Sequence, residues 1–139
     1  MDFFKTALGI HIIECYGQTE VSGPATFTHP KDPKSTGHVG GLIPTLKIRL
    51  RDCPELGYLT TDNPPRGEIQ FKGTCTFKGY FKNPEKTKEA ITDDGWINSG
   101  DVGVIFPNGA LKIIDRAKNI FKLSQGEYIA PEKLENIYG

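Results

Sequence analysis

The chain has 139 residues, which is enough for one ordinary domain with its own core and too few for a large multidomain enzyme. Its 17 basic and 17 acidic side chains cancel, so the composition does not favour a nucleic-acid partner, which usually requires a basic surface. The three cysteines form no C-x-x-C pair, which favours reduced thiols in an intracellular setting. No apolar run approaches the roughly 20 residues that span a bilayer, and the three histidines lack metal-ligand spacing.

The first 15 residues predict a short helix followed by a strand. Residues 2–8 carry apolar side chains at helical spacing and predict the end of a helix that closes at Gly9. A helix this short is not stable alone in water, so we expect the chain to begin within a larger structure. The apolar run IHIIEC at 10–15 predicts a short buried strand that carries the next segment at its end.

Strands dominate the predicted middle of the chain. Residues 21–44 are rich in Gly, Pro, Thr and Ser and predict an extended, mostly irregular segment. In TLKIRLR at 45–51, apolar and basic residues alternate, which predicts a half-buried strand with one wet face. A proline-rich loop is expected at 52–66, and GEIQFKG at 67–73 alternates again.

The signals become sharper toward the C-terminus. A capping asparagine followed by proline predicts a short helix over 83–91. Two apolar runs around Pro-Asn-Gly predict a β-hairpin over 102–114. A further strand is expected at 120–123, and a last helix begins at Pro131. The expected fold class is therefore α+β and β-rich, with a distorted β-barrel or curled sheet over about 35–115 between helical fragments.

One short segment, YGQTE at 16–20, combines groups that suit a nucleotide. Tyr16 offers a stacking face, Gly17 permits close backbone approach, and Glu20 supplies a carboxylate of the kind that holds magnesium. Taken alone, the same residues are more typical of a half-buried ring in a turn and a solvated carboxylate.

Later segments add complementary groups. Asp101 ends GWINSGD at 95–101, where a carboxylate can accept two hydrogen bonds from a vicinal diol such as ribose, although an aspartate there also caps turns. Arg116 follows the hairpin's second strand, and its forked donors suit phosphate or ribose oxygens. The segment SQGEYIAPEKLE at 124–135 places Gly126 in a turn.

The sequence resembles the adenylate-forming enzymes, and within them most closely the long-chain fatty-acyl-CoA synthetases. Four blocks carry the resemblance, in the family's order: YGQTE, GEIQFKG…FKGYFKNPEKT, GWINSGD and IIDRAKNIFKLSQGEYIAPEKLENIY. Together they cover most of positions 9–138, and the last is long and nearly uninterrupted.

The resemblance implies roles for individual residues. Tyr16 would stack on adenine, Thr19 would contact phosphate and Glu20 would help to hold magnesium. Asp101 would accept from both ribose hydroxyls, and Arg116 would support the ribose or phosphate. The residues assigned to nucleotide binding are Tyr16, Gly17, Thr19, Asp101, Arg116 and Gly126, and those assigned to catalysis are Thr19, Glu20, Lys118 and Lys122.

The resemblance also implies a domain boundary. Residues 1–115 match the C-terminal part of a large AMP-binding domain, and 116–139 match the hinge and first part of a small lid domain. Lys118 would be the hinge residue, where backbone rotation re-aims the lid between two half-reactions. Lys122 and Gly126 would begin the lid face used for thioester formation.

The implied reaction joins a fatty acid to coenzyme A through an acyl-adenylate, with ATP, AMP and Mg²⁺ at the nucleotide site. The family's phosphate loop, its adenylation lysine and most of its acid tunnel have no counterpart in 1–139, so we expect this chain to be inactive alone. The resemblance implies that the whole enzyme is associated with a membrane and faces the cytosol. Two alternatives stay open: another adenylate-forming ligase, for medium-chain, aryl or amino acids, or a non-catalytic β-rich interaction module.

Overall fold

The computed structural model describes residues 2–32, 35–117, 121–122 and 128–129, and they are rich in strands with few helices. The helices are α1 (Asp2–Leu8) and α2 (Pro84–Ala90). The strands are β1 (Cys15–Gln18), β2 (Gly23–Phe27), β3 (Gly41–Leu42), β4 (Leu46–Arg51), β5 (Arg66–Gly73), β6 (Ile97–Ile105), β7 (Leu111–Arg116), β8 (Phe121–Lys122) and β9 (Tyr128–Ile129). Single 3₁₀ turns cover Thr19–Val21 and Pro54–Leu56.

The strands form antiparallel sheets with the orders β1-β2-β3, β4-β5-β6-β7 and β8-β9. Each strand of the four-stranded sheet pairs with its sequence neighbour, which is the arrangement that short connections favour. Of the two expected forms, a distorted barrel or a curled sheet, the described residues adopt open sheets, and none of these sheets closes into a barrel.

One hydrophobic core joins the three-stranded and four-stranded sheets. Alternate residues of the central strand β5, Ile69 and Phe71, are fully buried, as expected for a strand with paired neighbours on both sides. The opposite side of this core comes from Ala25 of β2 and from Val21 of the 3₁₀ turn that precedes β2. The core therefore holds the YGQTE segment against the middle of the larger sheet, which sets the position of the candidate site.

The elements with strong local signals are confirmed. Helix α1 ends before Gly9, and β4 and β5 cover the two alternating segments. Helix α2 is capped by the side chain of Asn83, which accepts a hydrogen bond of 3.0 Å from the backbone N–H of Lys86. The hairpin of β6 and β7 turns at residues 107–109, as the Pro-Asn-Gly sequence predicts.

One prediction for the first half of the chain is wrong. The run at 10–15 is not a buried strand: only Cys15 belongs to β1, and Ile10 and Ile13 are 49% and 52% exposed. Its partner β2 ends at Phe27, so backbone pairing with it stops at Glu14 and Thr28. The segment 21–44 is mostly irregular, as expected, and its extended parts form the two short strands β2 and β3.

Aromatic side chains divide between core and surface. Phe71 is fully buried and Trp96 is half-buried, whereas Phe81 is 88% exposed. In the part of the chain that the structure describes, no helix has the length and hydropathy to cross a membrane. The helix expected from Pro131 onward lies outside the described residues.

Candidate functional site

A cavity of about 1000 Å³ opens where β1, β6, β7 and α2 meet. Five of the residues singled out from the sequence line it, although they come from segments far apart in the chain: Tyr16, Gly17, Glu20, Asp101 and Arg116. Because antiparallel neighbours β6 and β7 place Asp101 directly opposite Arg116, these two residues are brought together by strand register.

Tyr16 and Asp101 are joined directly. The Tyr16 hydroxyl donates a hydrogen bond of 2.7 Å to Oδ2 of Asp101 across 85 positions of sequence. Burial, followed by the hydrogen bond and negative charge of Asp101, raises the pKa of the Tyr16 phenol far above its ordinary value. The phenol is therefore a fixed donor, and its ring packs against Phe71 with centroids 6.0 Å apart.

The Asp101 carboxylate keeps accepting capacity on the cavity side. Its Oδ1 lies 3.6 Å from Nε of Arg116, an ion pair rather than a hydrogen bond. Its backbone N–H donates to Oγ of Ser99 at 3.1 Å, which fixes the start of the side chain. An ionised carboxylate has about four lone-pair positions, so the bond from Tyr16 leaves both oxygens able to accept again.

Glu20 faces the same cavity from the 3₁₀ turn after β1. Its Oε1 accepts a short hydrogen bond from the hydroxyl of Tyr80, 60 residues later. This bond and then burial raise the pKa of Tyr80 to about 12. Among the described residues, no group of three or more His, Cys, Asp and Glu side chains could hold a metal ion. The carboxylate of Glu20 is an oxygen ligand of the type that Mg²⁺ prefers.

Close packing of β1 against β2 requires glycine at position 17. A Cβ atom there would lie 2.0 Å from the carbonyl oxygen of Gly23 in β2, far inside any real contact. The close approach expected from this glycine is therefore an approach of β1 to β2, beside which the cavity opens. Thr19 does not line that cavity; it faces a smaller one of about 560 Å³ together with Ser22 and Pro24.

The candidate residues of the expected lid cannot be placed. Lys118 and Gly126 lie outside the described residues, and of Lys122 only the strand backbone in β8 is described.

The cavity lining also includes residues that the sequence did not single out, among them Glu68, Tyr80 and Lys86. The signal for Glu68 is an acidic residue on a central strand, opposite the basic Arg51 of β4 in the observed register. The signal for Tyr80 is weaker, since its contact with Glu20 joins two irregular segments.

Comparison with known proteins gives consistent matches. Residues 1–81 match the family described as AMP-binding enzymes. The chain is 50% identical over 138 residues to long-chain-fatty-acid–CoA ligase 5 of Mus musculus, and 52% identical over 138 residues to long-chain-fatty-acid–CoA ligase 6 of Homo sapiens. These matches cover 99% of this chain and 20% and 19% of the two relatives, so the chain spans about a fifth of their length.

Solved structures agree with the sequence matches. The adenylation domain of a carboxylate reductase from Mycobacterium chelonae aligns with a TM-score of 0.81 at 39% identity, covering 99% of this chain and 20% of that one. The corresponding domain of a carboxylic acid reductase from Segniliparus rugosus, in complex with AMP and a co-purified carboxylic acid, aligns with a TM-score of 0.82 at 38% identity, covering 99% and 20%. The fold is that of the adenylate-forming enzyme domains.

Proposed function

Because the chain belongs to the family of AMP-binding enzymes, we propose that it forms the adenosine-binding part of an ATP-dependent long-chain fatty acid–CoA ligase. The observation that carries this proposal is the direct bond between Tyr16 and Asp101, beside Arg116, at one cavity. An aromatic ring, a diol acceptor and a cation are the groups that adenosine phosphates require. The AMP bound to the related Segniliparus domain supports the same ligand here.

Each side chain takes a distinct part of the nucleotide. The carboxylate of Asp101 accepts from both ribose hydroxyls with the lone pairs that Tyr16 leaves available. The accessible part of the Tyr16 ring stacks on adenine, an interaction worth about 1–3 kcal/mol per base on comparable platforms. Arg116 is 72% exposed at its side chain, so its guanidinium can turn from Asp101 toward ribose or phosphate oxygens.

In the whole enzyme, the proposed reaction has two steps. The fatty carboxylate attacks the α-phosphate of ATP and releases pyrophosphate, and the thiolate of coenzyme A then displaces AMP from the acyl-adenylate. Thr19 would contact phosphate from the smaller neighbouring cavity that it lines, and Glu20 would supply one carboxylate ligand to Mg²⁺, which would neutralise charge on the phosphates.

The remaining assignments concern the arrangement of the whole enzyme. Residues 1–115 belong to the large AMP-binding domain and 116–139 to the hinge and lid, with Lys118 as hinge and Lys122 and Gly126 on the lid face. A chain that spans a fifth of its relatives' length does not carry the complete reaction, so we expect no acyl-CoA formation by residues 1–139 alone. Association of the whole enzyme with a membrane that it meets from the cytosol is part of the same proposal.

Identity favours the long-chain ligases over other adenylate-forming enzymes. The chain is 50–53% identical to several long-chain ligases and synthetases, against 38–39% for the carboxylic acid reductase domains. The non-catalytic interaction module gains no support from the structure, whose charged groups converge on a cavity.

Titration of the ¹⁵N-labelled chain with millimolar AMP tests the proposal by NMR. We expect amide shifts at 16–20, 98–101 and 116, and at least tenfold weaker binding for Asp101→Asn, because hydrogen bonds to a charged group contribute about 1.5–3 kcal/mol. Asp93→Asn removes the same charge from an exposed site outside the cavity and should bind like the wild type. Equal binding by both variants, or a dispersed spectrum that AMP leaves unchanged, would refute the proposal.

A further inference from the structure

Glu68 is a buried acid without a role in the site as described so far. It lies on the central strand β5 and is 5% exposed, on the opposite face from the core residues Ile69 and Phe71. Burying a carboxylate is costly unless its oxygens are hydrogen-bonded and its charge is compensated. The partners of Glu68 therefore indicate what the residue does.

Both oxygens of Glu68 are engaged by separate segments. Oε2 forms a short ion pair with the guanidinium of Arg51 on the neighbouring strand β4. Oε1 accepts a hydrogen bond of 3.1 Å from the backbone N–H of Gly100, the residue before Asp101. The side chain thus connects β4 to the part of β6 that carries the proposed ribose acceptor.

The backbone pairing between β5 and β6 leaves Gly100 without a partner residue in β5. In the pairing of β5 with β6, Glu68 faces Val102 and Gln70 faces Asn98, so the three residues 99–101 stand opposite a single residue of β5. This irregularity interrupts the ladder of backbone hydrogen bonds and leaves the Gly100 N–H to a side chain. Gly100 has a φ of +74°, a backbone conformation that favours glycine.

The same peptide region is fixed from its other side. The carbonyl oxygen of Gly100 accepts a hydrogen bond of 2.9 Å from the N–H of Ala117, the residue after Arg116. Gly100 therefore lies between the Glu68 carboxylate and the end of β7. The orientation of the Asp101 side chain and the position of Arg116 both depend on where this residue is held.

We propose that Glu68 is a positioning residue of the nucleotide site, which holds Gly100 so that the Asp101 carboxylate faces the ribose hydroxyls. This inference rests on the proposed function. Glu68 acts through the Gly100 N–H, and Arg51 compensates its charge. Loss of its acceptor lets the irregular segment of β6 shift and turns the Asp101 oxygens away from the diol.

A comparison of AMP with 2′,3′-dideoxy-AMP isolates this effect, because the second ligand lacks the hydroxyls that Asp101 would bind. We expect Glu68→Ala to weaken AMP binding about tenfold, to the level of dideoxy-AMP, whose own affinity stays unchanged. Glu68→Gln keeps an oxygen acceptor and should retain most of the preference for AMP. Glu89→Gln removes a charge from the same cavity without touching Gly100 and should retain all of it. A preference that survives in Glu68→Ala, or equal losses for both ligands, would overturn the inference.

Amide hydrogen exchange tests the positioning without any nucleotide. Exchange at Gly100 and Ala117 should accelerate in Glu68→Ala and stay at the wild-type rate in Glu89→Gln; unchanged exchange in Glu68→Ala would overturn the inference. If the wild-type chain binds no AMP, the proposed function fails while this measurement still decides what Glu68 holds. Glu68→Asp, which retracts the carboxylate from Gly100 by one methylene, replaces Glu68→Ala if that variant does not fold, with the same expected outcomes.

Discussion

Replacing Gly17 by alanine tests whether this glycine serves the packing of two strands. The added Cβ would lie 2.0 Å from the Gly23 oxygen, 2.6 Å from Cα of Pro24 and 2.8 Å from the nitrogen of Ala25, all backbone atoms of β2. Since ordinary contact begins at 3.4 Å, β1 and β2 would have to separate by more than 1 Å. Backbone atoms cannot rotate away as the end of a flexible side chain can.

The magnitude follows from two contributions. Overpacking of this kind costs about 1–3 kcal/mol, and loss of a backbone hydrogen bond between the separating strands adds about 1 kcal/mol. We therefore expect Gly17→Ala to lower the free energy of unfolding by about 3 kcal/mol, a large part of the roughly 5–15 kcal/mol typical of a domain.

Urea unfolding followed by the fluorescence of Trp96, the single tryptophan, measures this loss. Gly41→Ala is the matched control in the same sheet, because no atom lies within 4 Å of its added Cβ and its φ is not in the left-handed region. We expect the control to be as stable as the wild type or up to about 1 kcal/mol more stable, because alanine restricts the unfolded chain at a compatible glycine position. Equal stabilities of Gly17→Ala and Gly41→Ala would refute the steric argument.

Two further predictions concern single contacts. Tyr80→Phe removes the hydrogen bond to Glu20, which is the main cause that raises the pKa of Tyr80 from 10.0 to about 12. The bond stabilises the fold only while the phenol is protonated. The wild type should therefore be more stable than Tyr80→Phe by a constant amount below pH 10, and this difference should disappear as the pH rises to 12. Urea midpoints across that range check it, and an advantage that does not change with pH would contradict it. Arg49→Lys removes the guanidinium group that lies 4.4 Å from the ring centroid of Trp96 and forms a bidentate contact with Asp94. We expect the free energy of unfolding to fall by about 1 kcal/mol and the fluorescence emission of Trp96 to change. Unchanged emission and stability would show that this cluster contributes nothing.

Local signals account for the elements that the sequence predicts correctly. The alternation in β4, the cap at Asn83 and the Pro-Asn-Gly turn each specify structure within a few residues. Prediction fails where pairing with another strand, rather than the local sequence, determines the structure. Hydrophobicity alone suggests a buried strand at 10–15, but the pairing with β2 begins only at its end. The short strand β3 exists because β2 offers it an edge.

The residues of the candidate site also fall into those that the sequence predicts and those that only the fold shows. Tyr16, Asp101 and Arg116 are recognisable from their segments, and the structure brings them to one cavity. The role of Glu68 is not predictable from sequence, since it depends on a break in strand register that only the folded sheet contains. The basic face of β4 is wet, as expected: Lys47 is exposed, and the Arg51 side chain stays 55% exposed although it pairs with the buried Glu68.

A crystal structure of the chain with AMP tests the central claim most directly. We expect both ribose hydroxyls within about 2.5–2.7 Å of the Asp101 carboxylate oxygens and adenine against the ring of Tyr16. A ribose directed away from Asp101, or AMP bound outside the cavity between β1, β6 and β7, would contradict it.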